Sequence, residues 1–201
     1  MSTDVTRDFA FGLPKAELHL HLEGTLEPDL KLALARKNGV DIGQSTVEEV
    51  RATYQFNDLT SFLAVYYPAM DVLQDEDDFH DLAAAYFERA RANGVVRAEC
   101  FFDPQAHTTR GIAIETVIRG YHRAVVEARE AGLSADLILC FLRDMSAQSA
   151  LETLQAALPY KDMFIGVGLD SDERDNPPTK FAEVFALARE AGLHVTMHCY
   201  W

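Results

Sequence analysis

Three stretches of this chain repeat one pattern: the end of a charged helix, a glycine, then a run of β-branched and leucine residues. They are RARANGVVRAECFF around Gly94, EAREAGLSADLILCF around Gly132 and LAREAGLHVTMHC around Gly192. Glycine ends a helix cheaply because it accepts left-handed backbone, and the continuous apolar run after it is the signature of a strand buried on both faces in a parallel sheet. The interval from Gly94 to Gly132 holds one helix-plus-strand unit. The interval from Gly132 to Gly192 holds two, the extra strand being FIGVGL at 164–169 with a helix before it near 149–158. With a first strand at about 15–22, five strands are expected, near Lys15, Val95, Ala135, Phe164 and His194. Alternating strands and helices make a parallel α/β sheet with right-handed crossovers.

Such a sheet is either an open doubly wound one or the first five units of a (β/α)8 barrel. A whole barrel takes about 250 residues, whereas this chain has 201 and stops just after its fifth strand, at Trp201, with no covering helix. The expectation is an incomplete TIM (β/α)8 barrel, strands one to five, forming a single truncated domain over 1–201.

The first strand carries the chemistry. In KAELHLHLEGTLEPD, residues two apart point the same way, so His19, His21 and Glu23 are expected on one face and Leu18, Leu20 and Leu22 on the other, packed one. Two imidazoles converging at the carboxyl end of a strand suit a divalent metal, although a short His-x-His also fits a hydrogen-bonded core pair. Gly24 permits a sharp exit, Thr25 is a candidate N-cap, and Pro28 suits the first turn of a helix over 28–38 closed by Gly39.

Further along, Thr46 with Glu49 or Ser45 with Glu48 offers a capping box. A helix over 59–73 spaces Phe62, Leu63, Tyr66, Tyr67, Met70 and Leu73 for core packing or for an apolar wall over a flat ligand. Asp75 to Asp78 caps the next helix, which ends at Asn93. The strand ends collect Asp103 and His107, Arg143 and Asp144, the acidic run Asp170 to Glu173, and His198. His198 is the natural third ligand, since three histidines leave a zinc with open positions. His107 reads as a loop residue, and His80, His122 and His194 as surface or packing residues.

A net charge of -14 argues against nucleic acid or an anionic membrane as partner and for a small neutral molecule. Cys100, Cys140 and Cys199 lack CxxC spacing and lie in apolar runs, so no disulfide is expected. With no secretory leader or spanning stretch visible, a cytoplasmic protein is expected.

LPKAELHLHLEGTLEPD resembles the signature that opens the adenosine and adenine deaminase family, and the resemblance continues through FLAVYYPAMDVL, GVVRAECFFDPQAH, GVGLDSDE and HVTMHC, over nearly the whole chain. It implies a zinc-dependent (β/α)8 barrel, a hydrolase acting on the exocyclic amine of a purine. On this sequence the implied ligands of one zinc are His19, His21 and His198, with Glu23 against the substrate and the backbone amide near Ser171 against the purine ring. Glutamate at 23, with FFDPQAHT and LDSDERDNPP, is more like the adenine or N6-modified-adenine branch than the adenosine branch.

The chain also departs from that pattern. The family's catalytic glutamate, which protonates the ring nitrogen while an activated water attacks the amine-bearing carbon, falls three residues after the third histidine. Trp201 stands there, and Cys199 to Trp201 does not resemble the family continuation. These 201 residues alone are therefore expected to show little or no turnover. Two other readings stay open. A two-metal hydrolase would want a carboxylated lysine or a glutamate on the fourth strand, and Lys161 lies before that strand. A non-catalytic fragment would self-associate through its exposed barrel edges.

Overall fold

The computed structural model describes residues 2–198, so Cys199 and Trp201 lie outside the described residues. In chain order the elements are α1 (Ser2–Gly12), β1 (Lys15–His21), α2 (Pro28–Asn38), α3 (Val47–Ala52), α4 (Leu59–Ala69), α5 (Glu76–Ala92), β2 (Val95–Phe102), α6 (Pro104–Thr108), α7 (Ile114–Glu130), β3 (Ser134–Leu142), α8 (Ala147–Ala157), β4 (Gly166–Asp170), α9 (Ala182–Glu190) and β5 (His194–Val195). Short 3-10 turns join several of them.

The five strands are parallel and lie in the order β1-β2-β3-β4-β5. That order decides between the two architectures. A doubly wound sheet reverses direction at a switch point, whereas an unbroken sequential order is the arc of a (β/α)8 barrel. Burial alternates accordingly. Ala98, Cys100 and Phe102 of β2 and Leu137, Leu139 and Phe141 of β3 enter the large core with the helices, while Phe101, Ile138 and Cys140 form a separate cluster on the opposite face. The chain is thus the first five strand-helix units of an incomplete barrel, with the small cluster on its inner face.

The repeated glycines do what their positions require. Gly94, Gly132 and Gly192 have φ of 77°, 90° and 85° and turn each helix back into its strand. Gly120 works differently: a Cβ there would stand 2.5 Å from Glu76 O and 2.6 Å from Phe79 Cβ, so a bare backbone lets α7 press against α5. The expected caps of α3 (Thr46 with Glu49) and α5 (Asp75 with Asp78) are formed, and Gly39 closes α2 at φ 65°.

Several local expectations are corrected. Residues 2–12 form a helix ahead of β1. Glu27, not Thr25, is the N-cap of α2, and the Thr25 hydroxyl donates to Leu22 O at 2.7 Å within the preceding turn. The leucine face of β1 is not continuous: Leu18 is 53% exposed, whereas Leu22 is fully buried. The register slips between Glu17 and Leu20, and the Tyr86 hydroxyl of α5 donates to Glu17 at 2.8 Å. A β1 that pairs only with β2 among the described residues leaves Leu18 without cover.

Candidate metal centre

The outer ends of β1 and β5 bring three imidazoles to one point. His19 Nε2 and His21 Nε2 each lie 3.0 Å from His198 Nε2, joining residues 179 and 177 apart in sequence. β5 delivers His198 because its extended backbone runs on past Val195, with Thr196 N–H donating to Val167 O and His198 N–H to Leu169 O. Phe101 of the inner cluster floors the group, with its ring centroid 4.8 Å from that of His19 and 5.1 Å, stacked, from that of His21.

Behind His21 stand two buried carboxylates. Asp170, ending β4, places Oδ2 3.3 Å from His21 Nδ1, and Asp103, just past β2, places Oδ1 at 3.9 Å. A carboxylate facing Nδ1 favours the tautomer with the proton on that nitrogen and leaves Nε2 a lone pair. The lone pair of His21 then faces the shared centre. Burial, then the neighbouring His198, lowers the His21 pKa to about 4, against the opposing pull of Glu23, so the ring is neutral at pH 7. Burial, helped by His19 and Arg143, lowers His198 too. Burial raises Asp170 to about 7, and burial with the Asp170 charge pushes Asp103 well above the usual carboxylate range.

The donor set fits a metal. Imidazole nitrogens 3.0 Å apart are close to the roughly 3.3 Å separation of two nitrogens in a tetrahedral site with zinc–nitrogen bonds of about 2.0–2.1 Å. His21, Asp103 and Asp170 also lie within metal-ligating distance of one another. Their contact runs through Nδ1 of a ring whose Nε2 is already committed, which makes the carboxylates outer supports.

A cavity of about 420 Å³ opens on the three histidines. Phe62, Leu63, Tyr66 and Tyr67 of α4 make one wall, and Phe62 and Tyr66 stack at 5.1 Å. Asp103, Arg143, Asp170, Ser171 and Glu173 from the strand ends make the other. Tyr66 and Tyr67 are buried near these acids, which raises both phenols. Ser171, immediately after β4, holds φ 71°, a left-handed conformation rare for a residue with a side chain and characteristic of functional sites.

Of the expected site residues, His19, His21, His198 and Ser171 meet at this cavity, and Trp201 lies outside the described residues. Glu23 is placed differently. Strand alternation ends at His21, and Glu23 belongs to a 3-10 turn (Leu22–Thr25) that carries its side chain into the interior. There its Oε1 accepts from Asp103 N–H at 3.0 Å and lies 3.2 Å from His107 Nε2. Burial raises this carboxyl, but the bonds from His107 and the Asp103 amide outweigh it, leaving the pKa below the ordinary value.

Two further residues matter more than their sequence context shows. Arg143 is fully buried: its Nη1 donates to His198 O at 3.0 Å and its Nε to Asn176 O at 2.9 Å, so it ties β3 to the ligand-bearing end of β5. Its neighbour Asp144 is exposed. His107, expected in a loop, is fully enclosed. The signal available for Arg143 was a charged residue directly after a strand, whereas His107 lies in α6, five residues past β2, and no spacing rule points to the partners of either.

The family model described as adenosine deaminase matches residues 14–199. The chain is 57% identical over 187 residues to an adenine deaminase of Geotalea uraniireducens, covering 92% of this chain and 53% of that protein. The crystal structure of an adenine deaminase from Arthrobacter aurescens superimposes with a TM-score of 0.90 at 51% identity, covering 92% of this chain and 57% of that one. An amidohydrolase from Burkholderia ambifaria, crystallised with bound Zn, gives 0.83 at 30% identity, over 99% of this chain and 55% of that one. The chain thus spans about half the length of the relatives it matches. On its sequence, fold and histidine cluster together, the chain belongs to the adenosine deaminase family.

Proposed function

We propose that this chain carries the metal-binding half of a site for hydrolytic deamination of a purine. An adenine, N6-substituted adenine or adenosine would go to the 6-oxo purine plus ammonia. The observation that supports this reading most is the convergence of His19, His21 and His198 at the mouth of an aromatic-walled cavity. Adenine deaminases among the relatives favour purine chemistry, and the zinc-bearing amidohydrolase favours a metal.

The three histidines would hold one zinc, which when bound supplies Lewis-acid activation of water. Asp170 and Asp103 orient His21, and Arg143 holds the backbone at His198. Phe62, Tyr66 and Tyr67 offer flat faces on which a purine stacks, and Ser171 brings its backbone to the ring edge. Glu23 stands behind this wall, its Oε1 held by the Asp103 amide and His107.

Turnover needs an acid at the substrate ring, and Trp201 stands where the family resemblance puts it. We therefore assign binding to these 201 residues and little or no catalysis. Buried free thiols at Cys100 and Cys140 suit a reducing cytoplasm, and among the described residues no helix is long and apolar enough to cross a membrane. β1 and β5 each pair on one side only among the described residues, so self-association through these edges is expected.

Calorimetric titration of the zinc-loaded chain with adenine and adenosine, alongside an ammonia assay, tests the reading. Purine binding that disappears when zinc is stripped supports it. No purine binding by the loaded chain overturns it, and rapid ammonia release overturns the assignment of the missing acid.

A further inference from the structure

Behind the histidine cluster an enclosed imidazole lies between an arginine and an enclosed carboxylate. The side chains of Glu23 and His107 are wholly enclosed, with Glu23 Oε1 and His107 Nε2 3.2 Å apart. On the other side of the ring, Arg110 Nη2 lies 2.9 Å from His107 Nδ1. A guanidinium has only donors, so Arg110 donates and Nδ1 offers its lone pair. The ring's proton is therefore on Nε2, directed at Glu23. Arg110 is itself anchored, donating to Leu73 O at 3.1 Å and to Ala106 O at 3.2 Å.

The same Glu23 oxygen accepts the Asp103 amide at 3.0 Å. Glu23 sits two residues past His21, and Asp103 carries one of the carboxylates facing His21 Nδ1. One carboxylate thus pins both the exit of β1 and the backbone of Asp103, and both arms end at His21.

We propose that His107 is a positioning residue: through Glu23 it holds the β1 exit and Asp103 in the arrangement that aims His21 at the shared centre. This rests on the metal reading above. Packing alone does not require it, because apolar residues of similar volume replace many buried polar pairs without loss of stability.

The test uses the 201-residue chain with Co2+ alone as probe, comparing wild type, His107→Leu and His107→Gln. Leucine fills the space without hydrogen bonds, whereas glutamine restores an acceptor toward Arg110 and a donor toward Glu23. His107→Leu is expected to weaken Co2+ binding about tenfold or more, the scale of losing an outer-shell partner, and to shift the visible absorption bands. His107→Gln is expected to recover most of both. A leucine variant with wild-type affinity and spectrum overturns the proposal, even if its melting temperature changes.

Should His107→Leu not fold, Arg110→Met removes the donor that fixes the ring's tautomer. Its histidine nitrogen shifts are then expected to show a mixed tautomer, with weaker Co2+ binding; unchanged binding overturns the proposal. If wild type takes up no Co2+, the metal reading fails, and hydrogen exchange at the Asp103 amide decides the positioning role. Exchange faster in His107→Leu (or in Arg110→Met) than in wild type and His107→Gln supports it. Equal rates overturn it.

Discussion

His21 engages two partners through its two nitrogens: Nδ1 lies 3.3 Å from Asp170 Oδ2, while Nε2 lies 3.0 Å from His198 Nε2. A ring on β1 is thereby oriented by the end of β4 and aimed at a residue following β5. A parallel sheet curved so that its two edges approach makes this possible, because all the carboxyl ends open on one side of it.

Removing the orienting carboxylate should loosen the metal without unfolding the chain. Asp170→Ala is expected to weaken zinc binding by roughly 10–100-fold, and Asp170→Asn by less, since its amide oxygen still faces Nδ1. Competition titrations with a chelating dye measure both. Equal zinc affinity in wild type and Asp170→Ala would rule out the orienting role.

The contact of α5 with α7 depends on a missing side chain. Gly120→Ala would bring a Cβ to 2.5 Å from Glu76 O, and backbone cannot yield as a flexible side chain does. Overpacking of this kind costs about 1–3 kcal/mol. Urea unfolding should show a lowered midpoint with an unchanged slope; a midpoint equal to that of wild type would mean that the helices separate freely.

Asp78, fully buried, accepts from Lys37 Nζ at 2.7 Å, Asn38 Nδ2 at 2.7 Å and Gln74 N–H at 2.8 Å. Asp78→Ala leaves the Gln74 amide and one Asn38 proton without a partner, while Lys37 keeps Asp75, and should cost about 3 kcal/mol. Thermal melting checks it, and a loss below about 1 kcal/mol, the worth of one ordinary hydrogen bond, would show that water replaces the carboxylate.

Asp75 supplies an acid-side pH dependence. Burial raises its carboxyl, but the Asp78 amide and the Lys37 ammonium outweigh this and leave its pKa below the ordinary value. A group with a depressed folded pKa adds stability above its unfolded pKa and loses it as pH falls through the folded one. The decline should begin below about pH 4, and Asp75→Asn should flatten it. Urea midpoints across the acid range decide; an unaltered acid limb in the variant would remove Asp75 from the account.

Much of this was legible in the sequence because the signals are local. Gly94, Gly132 and Gly192 mark left-handed turns by residue type, and the Asp75–Asp78 cap is a four-residue pattern. His19 and His21 announce themselves by spacing, and His198 by its place at the end of the fifth strand. What was not legible depends on distant partners. Leu18 looks like a packing residue until the register slip of β1 exposes it. Glu23 looks like a third member of the histidine face until the turn after His21 carries it inward to His107, 84 residues away. Arg143 gains its role only from the carbonyl of His198, 55 residues on.

Bound zinc per chain, measured by elemental analysis after dialysis against metal-free buffer for wild type and for His19→Ala, His21→Ala and His198→Ala, decides whether the three histidines form one metal centre. One zinc is expected in wild type and a loss in every single variant, with folding retained by circular dichroism. Zinc that stays bound when His198 is removed, or wild type that binds none, would contradict a centre built from β1 and the end of β5.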